Sequence, residues 1–310
     1  MSKNFNKELK KARGINVDGL FYADTYQDNI YNRRMEEKYI RMFCKGEGKE
    51  LLPKDGKKEK AACIYSSSML AYNFFSWIGK NKIFEYDGIK YNKVVFEEQF
   101  RVLKNRNNRA NLDVVLVSED KKTIMLLESK FTEHFAVKDS VPDISDAYDS
   151  IDSYFENCYG SNWVKVIKRL REMPKERQGQ KAYYEGLKQV VCHLIGISNV
   201  IKDPKARKWF NNNSWLSHLE NIELKGDEIF IFKSIVFHPK TDKENRLSSE
   251  YEELNKEFVE SLDFLPTNLK TDNPIITYRQ LWEKGMIDSI VDEDLKDYLM
   301  KYLDAHVETK

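Results

Sequence analysis

Two short apolar runs carry charge where a buried strand should carry none. Leu112 to Val117 and Ile124 to Leu127 are rich in Val, Ile and Leu, and Ser118-Glu119-Asp120-Lys121-Lys122 between them has turn composition. Short apolar runs bounded by a polar cluster read as paired strands, and runs apolar at both odd and even positions read as buried on both faces. Yet Asp113 stands inside the first run, and Glu128 and Lys130 end the second.

Glu128 and Lys130 are two residues apart, so on a strand their side chains leave by the same face. An adjacent strand can bring Asp113 beside them. Two carboxylates about 4 Å apart repel by roughly 4 kcal/mol at an effective dielectric near 20. A divalent cation between them turns that repulsion into binding. Mg²⁺ takes one or two carboxylates, keeps several waters and completes its shell with phosphate oxygens. The ammonium of Lys130 is then placed to orient a water or to stabilise charge developing on the phosphate.

The pattern Glu-x-Lys is weak by itself. It occurs at seven places, beginning at Glu8, Glu36, Glu47, Glu119, Glu128, Glu223 and Glu308. Only Glu128 follows directly on an apolar run and has an Asp at the matching place on a neighbouring run. The competing reading of Glu128 and Lys130 is a plain salt bridge at a strand end.

At these residues the chain resembles the PD-(D/E)XK nuclease superfamily, the restriction-endonuclease-like fold. Asp113 matches its first acid and Glu128-Ser129-Lys130 matches its (D/E)XK. The fuller wording, Arg109-Ala110-Asn111-Leu112-Asp113 followed by Leu127-Glu128-Ser129-Lys130-Phe131, is similar to a group of restriction endonucleases within it. The resemblance implies an α/β fold: a mixed central sheet flanked by helices on both faces, with helical additions. It implies Asp113, Glu128 and Lys130 as the catalytic set and Asp113 and Glu128 as ligands of Mg²⁺, with Mn²⁺ able to substitute. The activity implied is Mg²⁺-dependent hydrolysis of DNA phosphodiesters by a type II restriction-like endonuclease. The alternatives are a nuclease on branched DNA, single strands or RNA, and a non-catalytic nucleic-acid-binding module of the same fold.

Further residues enter through the same resemblance. Gly46-Glu47-Gly48-Lys49-Glu50-Leu51 resembles a Gly-x-Gly-x-Glu-Leu stretch of the group, which makes Glu50 a fourth acid; an ordinary solvated Glu is the alternative. Glu97, on a strand expected over Lys93–Leu103 with Gln99 on its face, is a supporting acid. Gln189, on a buried helix expected over Tyr183–Ile197, matches a Gln of RecB-like members and is placed to orient Lys130 or a water. His193, one turn on, stands where those members often carry Tyr; a satisfied core pair is the alternative for both. Ser67, Ser68 and Asn73, on a core helix expected over Ala61–Ile78, match a Ser-Ser…Asn helix and are phosphate contacts or, equally, capping and helix-packing groups. Lys104, Arg106 and Arg109 lie in the polar hairpin Lys104–Arg109, suited to phosphate or to solvent.

Length and composition set outer bounds. At 310 residues, with 41% hydrophobic and 13% aromatic residues, the chain can build a sizeable core. Its net charge of +1 offers no global attraction to DNA, so a basic surface must be local. Four scattered cysteines without a Cys-x-x-Cys pair suit a reducing, cytoplasmic setting. No apolar stretch is long enough to cross a bilayer, so no membrane partner is expected. Symmetric cutting of both strands suits a two-fold homodimer.

The organisation expected is an extension over 1–60, a core over 61–238 with a helical insertion at 134–180, and a helical extension over 239–310. Helices are expected near Tyr26–Phe43, Ala147–Cys158, Trp163–Glu172, Glu244–Leu262 and Asp292–His306. A strand is expected over Glu228–His238. Lys202–Lys208 reads as a basic, Pro-containing stretch and Trp209–Trp215 as a loop. Thr277-x-x-Gln280 spells a capping box for a helix starting near Tyr278.

Overall fold

The computed structural model describes residues 22–45, 49–54, 56–79, 82–104, 109–131, 144–149, 160–176, 181–237 and 242–304. In chain order its principal elements are α1 (Glu37–Lys45), α2 (Ser67–Phe75), β1 (Phe84–Tyr86), β2 (Ile89–Arg101), β3 (Arg109–Ser118), β4 (Thr123–Lys130), α3 (Ser161–Glu176) and α4 (Lys181–Lys202). There follow α5 (Pro204–Asn213), α6 (Trp215–Glu220), β5 (Ile229–Val236), α7 (Asp242–Glu260), β6 (Leu269–Lys270), β7 (Ile275–Thr277), α8 (Tyr278–Leu281) and α9 (Glu293–Leu303).

The fold is α/β, built on one mixed sheet of seven strands in the order β1-β2-β3-β4-β5-β6, with β7 also paired to β5. β1 to β4 form an antiparallel meander. The chain then crosses through helices to lay β5 parallel to β4. The two apolar runs are the adjacent strands β3 and β4, paired through Val114↔Leu127 to Val117↔Ile124. All of these paired side chains are fully buried. Each such Val, Ile or Leu contributes about 1.5–3 kcal/mol by leaving water.

Helices cover both faces of the sheet. On β4 the hydroxyl of Ser129 donates to the Ser67 carbonyl at the start of α2. Its neighbours Glu128 and Lys130 meet His193 and Gln189 on α4. Adjacent residues of a strand project to opposite faces, so α2 and α4 lie on opposite sides of β4.

Several expected elements shift for local reasons. The helix expected over Tyr26–Phe43 is two 3₁₀ turns, Tyr26–Asn29 and Tyr31–Arg33, before α1. Asn32 and Arg33 take positive φ values of 54° and 52°, which interrupts any continuous helix. The core helix begins at Ser67 rather than Ala61, because the Ser66 hydroxyl accepts from Met69 N and caps it there. Trp209–Trp215 is not a loop: Asp203 caps α5 with Pro204 in its first turn, and Ser214 ends α5 and caps α6. The 239–310 extension is not purely helical, since β6 and β7 both join β5. The Thr277–Gln280 capping box forms as spelled, but α8 ends after one turn, before Gly285 at φ 138°. Of the helix expected near Ala147–Cys158, the described part is a 3₁₀ turn, Asp146–Asp149; residues 150–158 lie outside the described residues.

Candidate active site

The site forms where the pairing of β3 with β4 stops. Val114 pairs with Leu127, so the next step sets Asp113 opposite Glu128. There the backbone ladder gives way to a side chain: Asp113 Oδ2 accepts the Ser129 N–H at 2.7 Å. On the other side of β3, Phe96↔Val114 and Glu98↔Leu112 bracket Asp113, which sets Glu97 opposite it. Glu97, Asp113 and Glu128 therefore form one row of acids across three neighbouring strands.

Glu97 reaches this row by a local distortion. Its φ is +52°, in the left-handed region, within an otherwise extended strand. A non-glycine residue held there costs of order 1–3 kcal/mol and persists only when its surroundings enforce it.

Glu128 is buried, at 4% exposure, between a lysine and a histidine. Lys130 Nζ lies 2.6 Å from its Oε1. His193 Nε2 lies 3.0 Å from its Oε2, although the two are not aligned as a hydrogen bond. Lys130 is itself 6% exposed and also donates to Gln189 Oε1 at 2.6 Å. Gln189 is exposed, so this end of the cluster opens to solvent.

The acids are held unequally. Burial raises Glu128, but Lys130 and His193 outweigh it and hold the carboxyl down at about 2. Burial pushes Glu97 up to about 8, with Glu50 and Glu128 adding to it and Lys60 and the Ser68 hydroxyl opposing. Asp113 is raised well above the ordinary range by burial, then by Glu128 and Glu97, against Lys130 and the Ser129 N–H. The charge of Glu128 thus bears on both Asp113 and Glu97.

Glu50 is not the solvated side chain of its alternative reading. It pairs with Lys60 at 3.3 Å and its charge reaches Glu97. Ser68 also stands at the site, through Glu97. Ser67 instead offers its carbonyl to Ser129. Asn73 is removed from any phosphate role: it is 1% exposed, accepts from Tyr31 N, and donates to Asn29 O and the Tyr302 hydroxyl. It fastens the N-terminal turns and α9 to α2. Arg109 lies on β3, four residues before Asp113, and donates to Gln99 Oε1. Lys104 lies just beyond β2, and Arg106 falls outside the described residues.

The contact of His193 with Glu128 was only half visible in the sequence. The i, i+4 spacing of Gln189 and His193 puts both on one helix face, but nothing local says that this face meets β4. Lys60 had no signal beyond its place in a basic stretch.

Among the described residues, no group of three or more His, Cys, Asp or Glu side chains is placed to hold a metal ion. The donors present are carboxylate oxygens, and the buried Glu128 Oε2 makes no hydrogen bond. One or two carboxylate ligands fit a hard cation that keeps most of its waters. Among the described residues no helix is long and apolar enough to cross a membrane. No family model, curated protein or solved structure matches the chain.

Proposed function

We propose that this chain is a Mg²⁺-dependent DNA endonuclease with a restriction-endonuclease-like core. The observation that carries the reading is Asp113 opposite Glu128 at the end of the β3–β4 ladder, with Lys130 anchored beside them. The order helix, antiparallel β2-β3-β4, helix, parallel β5 supports the same reading.

In this reading Asp113 and Glu128 hold Mg²⁺, or Mn²⁺ in its place. The bound ion supplies a lowered pKa for a coordinated water and a polarised phosphoryl oxygen. Asp113 is oriented by the Ser129 N–H and Glu128 by Lys130 and His193. Lys130 keeps its ammonium fixed between Glu128 and Gln189, where it stabilises charge developing on the phosphate. Glu97 and Glu50 add carboxyl groups whose charged forms a bound cation would favour.

The test is cleavage of plasmid DNA with Mg²⁺ by the parent chain, Asp113→Asn, Glu128→Gln and Lys130→Met. Loss of cleavage in all three variants, with folding retained, is expected. Equal cleavage by all four proteins ends the proposal.

One observation favours a second reading, a nucleic-acid-binding module without hydrolysis. Both oxygens of Glu128 already face a basic nitrogen. A Mg²⁺ titration separates the two: if the parent binds no more tightly than Glu128→Gln, the module reading prevails.

A further inference from the structure

A partly open lane runs along β3 and β2 away from the acid row. On β3, Arg109, Asn111 and Asp113 are half-buried, while Ala110, Leu112 and Val114 between them are buried. Gln99 and Arg101, paired with Asn111 and Arg109, are half-buried in the same way on β2. Alternate strand residues share a face, so these side chains make one track leading to Asp113.

The far end of the track carries two guanidiniums on one ring. Arg101 lies 5.4 Å and Arg109 5.6 Å from the centre of Trp209 on α5. Among the described residues neither arginine has an ion pair. Among the described residues, the side-chain hydrogen bond of Arg109 goes to the neutral Gln99 at 2.5 Å. Among them, its buried Nε has no partner, and neither has the buried Asn111 Oδ1. Lys205 and Lys208 are exposed on the same helix as Trp209.

Two cations are thus positioned by an indole and a glutamine, without an anion among the described residues. Stacking on an aromatic ring holds a guanidinium flat and leaves its fork available. That fork matches phosphate in bidentate fashion. Arg109 is four residues from Asp113, about 13 Å along an extended strand, or some four phosphates of one strand at about 3.4 Å of duplex axis each.

We infer that Arg101 and Arg109, held by Trp209, clamp a backbone phosphate of duplex DNA a few nucleotides from the bond hydrolysed beside Asp113. The inference rests on the nuclease reading and adds to it where the uncut part of the strand lies.

The experiment is anisotropy of a fluorescent 20-base-pair DNA with Mg²⁺ over a salt series. It is run in the Lys130→Met background so that bound DNA is not consumed. Arg101→Gln and Arg109→Gln are each expected to bind about tenfold more weakly, and to lower the log–log salt slope by about 0.9, one phosphate contact. Arg101→Lys and Arg109→Lys keep the slope and lose affinity. Trp209→Leu weakens binding and Trp209→Phe restores most of it. Thermal unfolding of each variant checks that the fold is kept, and the Lys and Phe variants carry the test if a Gln or Leu variant unfolds. Unchanged affinity and slope in both Gln variants, with DNA bound by the background protein, overturns the clamp alone. Tighter binding of an RNA duplex than of DNA overturns the choice of partner. Failure to bind either nucleic acid overturns clamp and nuclease reading together.

Discussion

His193 Nε2 stands 3.0 Å from Glu128 Oε2, while Lys130 Nζ holds the other oxygen of the same carboxylate at 2.6 Å. The carboxylate is gripped from helix α4 on one side and from its own strand on the other. In the proposed reading Glu128 is a metal ligand, and a ligand oriented in this way depends on its supports. His193→Leu is expected to lower Mn²⁺ affinity about 10- to 100-fold, the usual cost of losing an outer partner. His193→Gln, which keeps an N–H, is expected to recover part of it. Calorimetric titration with Mn²⁺ measures both, and a parent-like affinity in His193→Leu would falsify the positioning role.

Removing Glu128 should damage the fold as well as the chemistry. Lys130 is buried, and truncating one partner of a buried pair costs about 3–5 kcal/mol because the other charge is left without compensation. Glu128→Ala is therefore expected to unfold at markedly lower urea than the parent. Lys130→Met leaves the buried Glu128 carboxylate without its ammonium in the same way, so it should lose stability as well as activity. A parent-like urea midpoint in either variant would contradict the buried-pair argument.

Asp113 should show the opposite trade. Burial and its acidic neighbours raise it, so its ionised form costs stability above the ordinary Asp range. Asp113→Asn keeps the oxygen that accepts the Ser129 N–H and discards the charge. In metal-free buffer at pH 8 the variant is expected to melt a few degrees higher than the parent. The gain should fade toward pH 4, where Asp113 is protonated in the parent. Meanwhile cleavage should be lost. A variant that melts lower at pH 8 sinks this account.

Glu98 supplies a pH dependence away from the acid row's chemistry. Its carboxylate accepts from Trp215 N, Leu216 N and Gln99 N, joining β2 to the start of α6. Burial nevertheless pushes it up to about 7 from 4.5, against those three bonds. A carboxyl raised on folding takes up a proton between the two values, so its contribution is most favourable below about 4.5 and is lost as pH rises through 7. Over that window the change is on the order of 3 kcal/mol. Glu98→Gln cannot titrate there. Between pH 5 and pH 8 the parent should lose stability relative to Glu98→Gln, read from urea curves at both values. Parallel pH trends would show that Glu98 is not raised.

Much of the site was legible because its chemistry violates local expectation. Asp113, Glu128 and Lys130 stand out as charges in apolar runs, and they do end up on adjacent strands. Gln189 reaches Lys130 as its helix spacing allowed. The capping box at Thr277 and the caps at Asp203 and Ser214 are equally local. Asn73 shows the limit. Its sequence neighbours look the same whether it faces phosphate or the Asn29 carbonyl, and only long-range packing with Tyr31 and Tyr302 distinguishes them.

From its sequence alone this chain is bound to place charge inside a buried sheet, since the apolar runs around Asp113 and Glu128 leave those strands no other home. Tertiary structure alone decides which partners make that charge tolerable. It turns Glu97 into the row through a left-handed residue, draws Glu50 toward it, and sets His193 against Glu128 and Trp209 against Arg101 and Arg109. The reason is that hydrophobic period and capping are read over a few residues. The partners of a buried charge lie tens of residues away, and their approach depends on register, crossover and packing together.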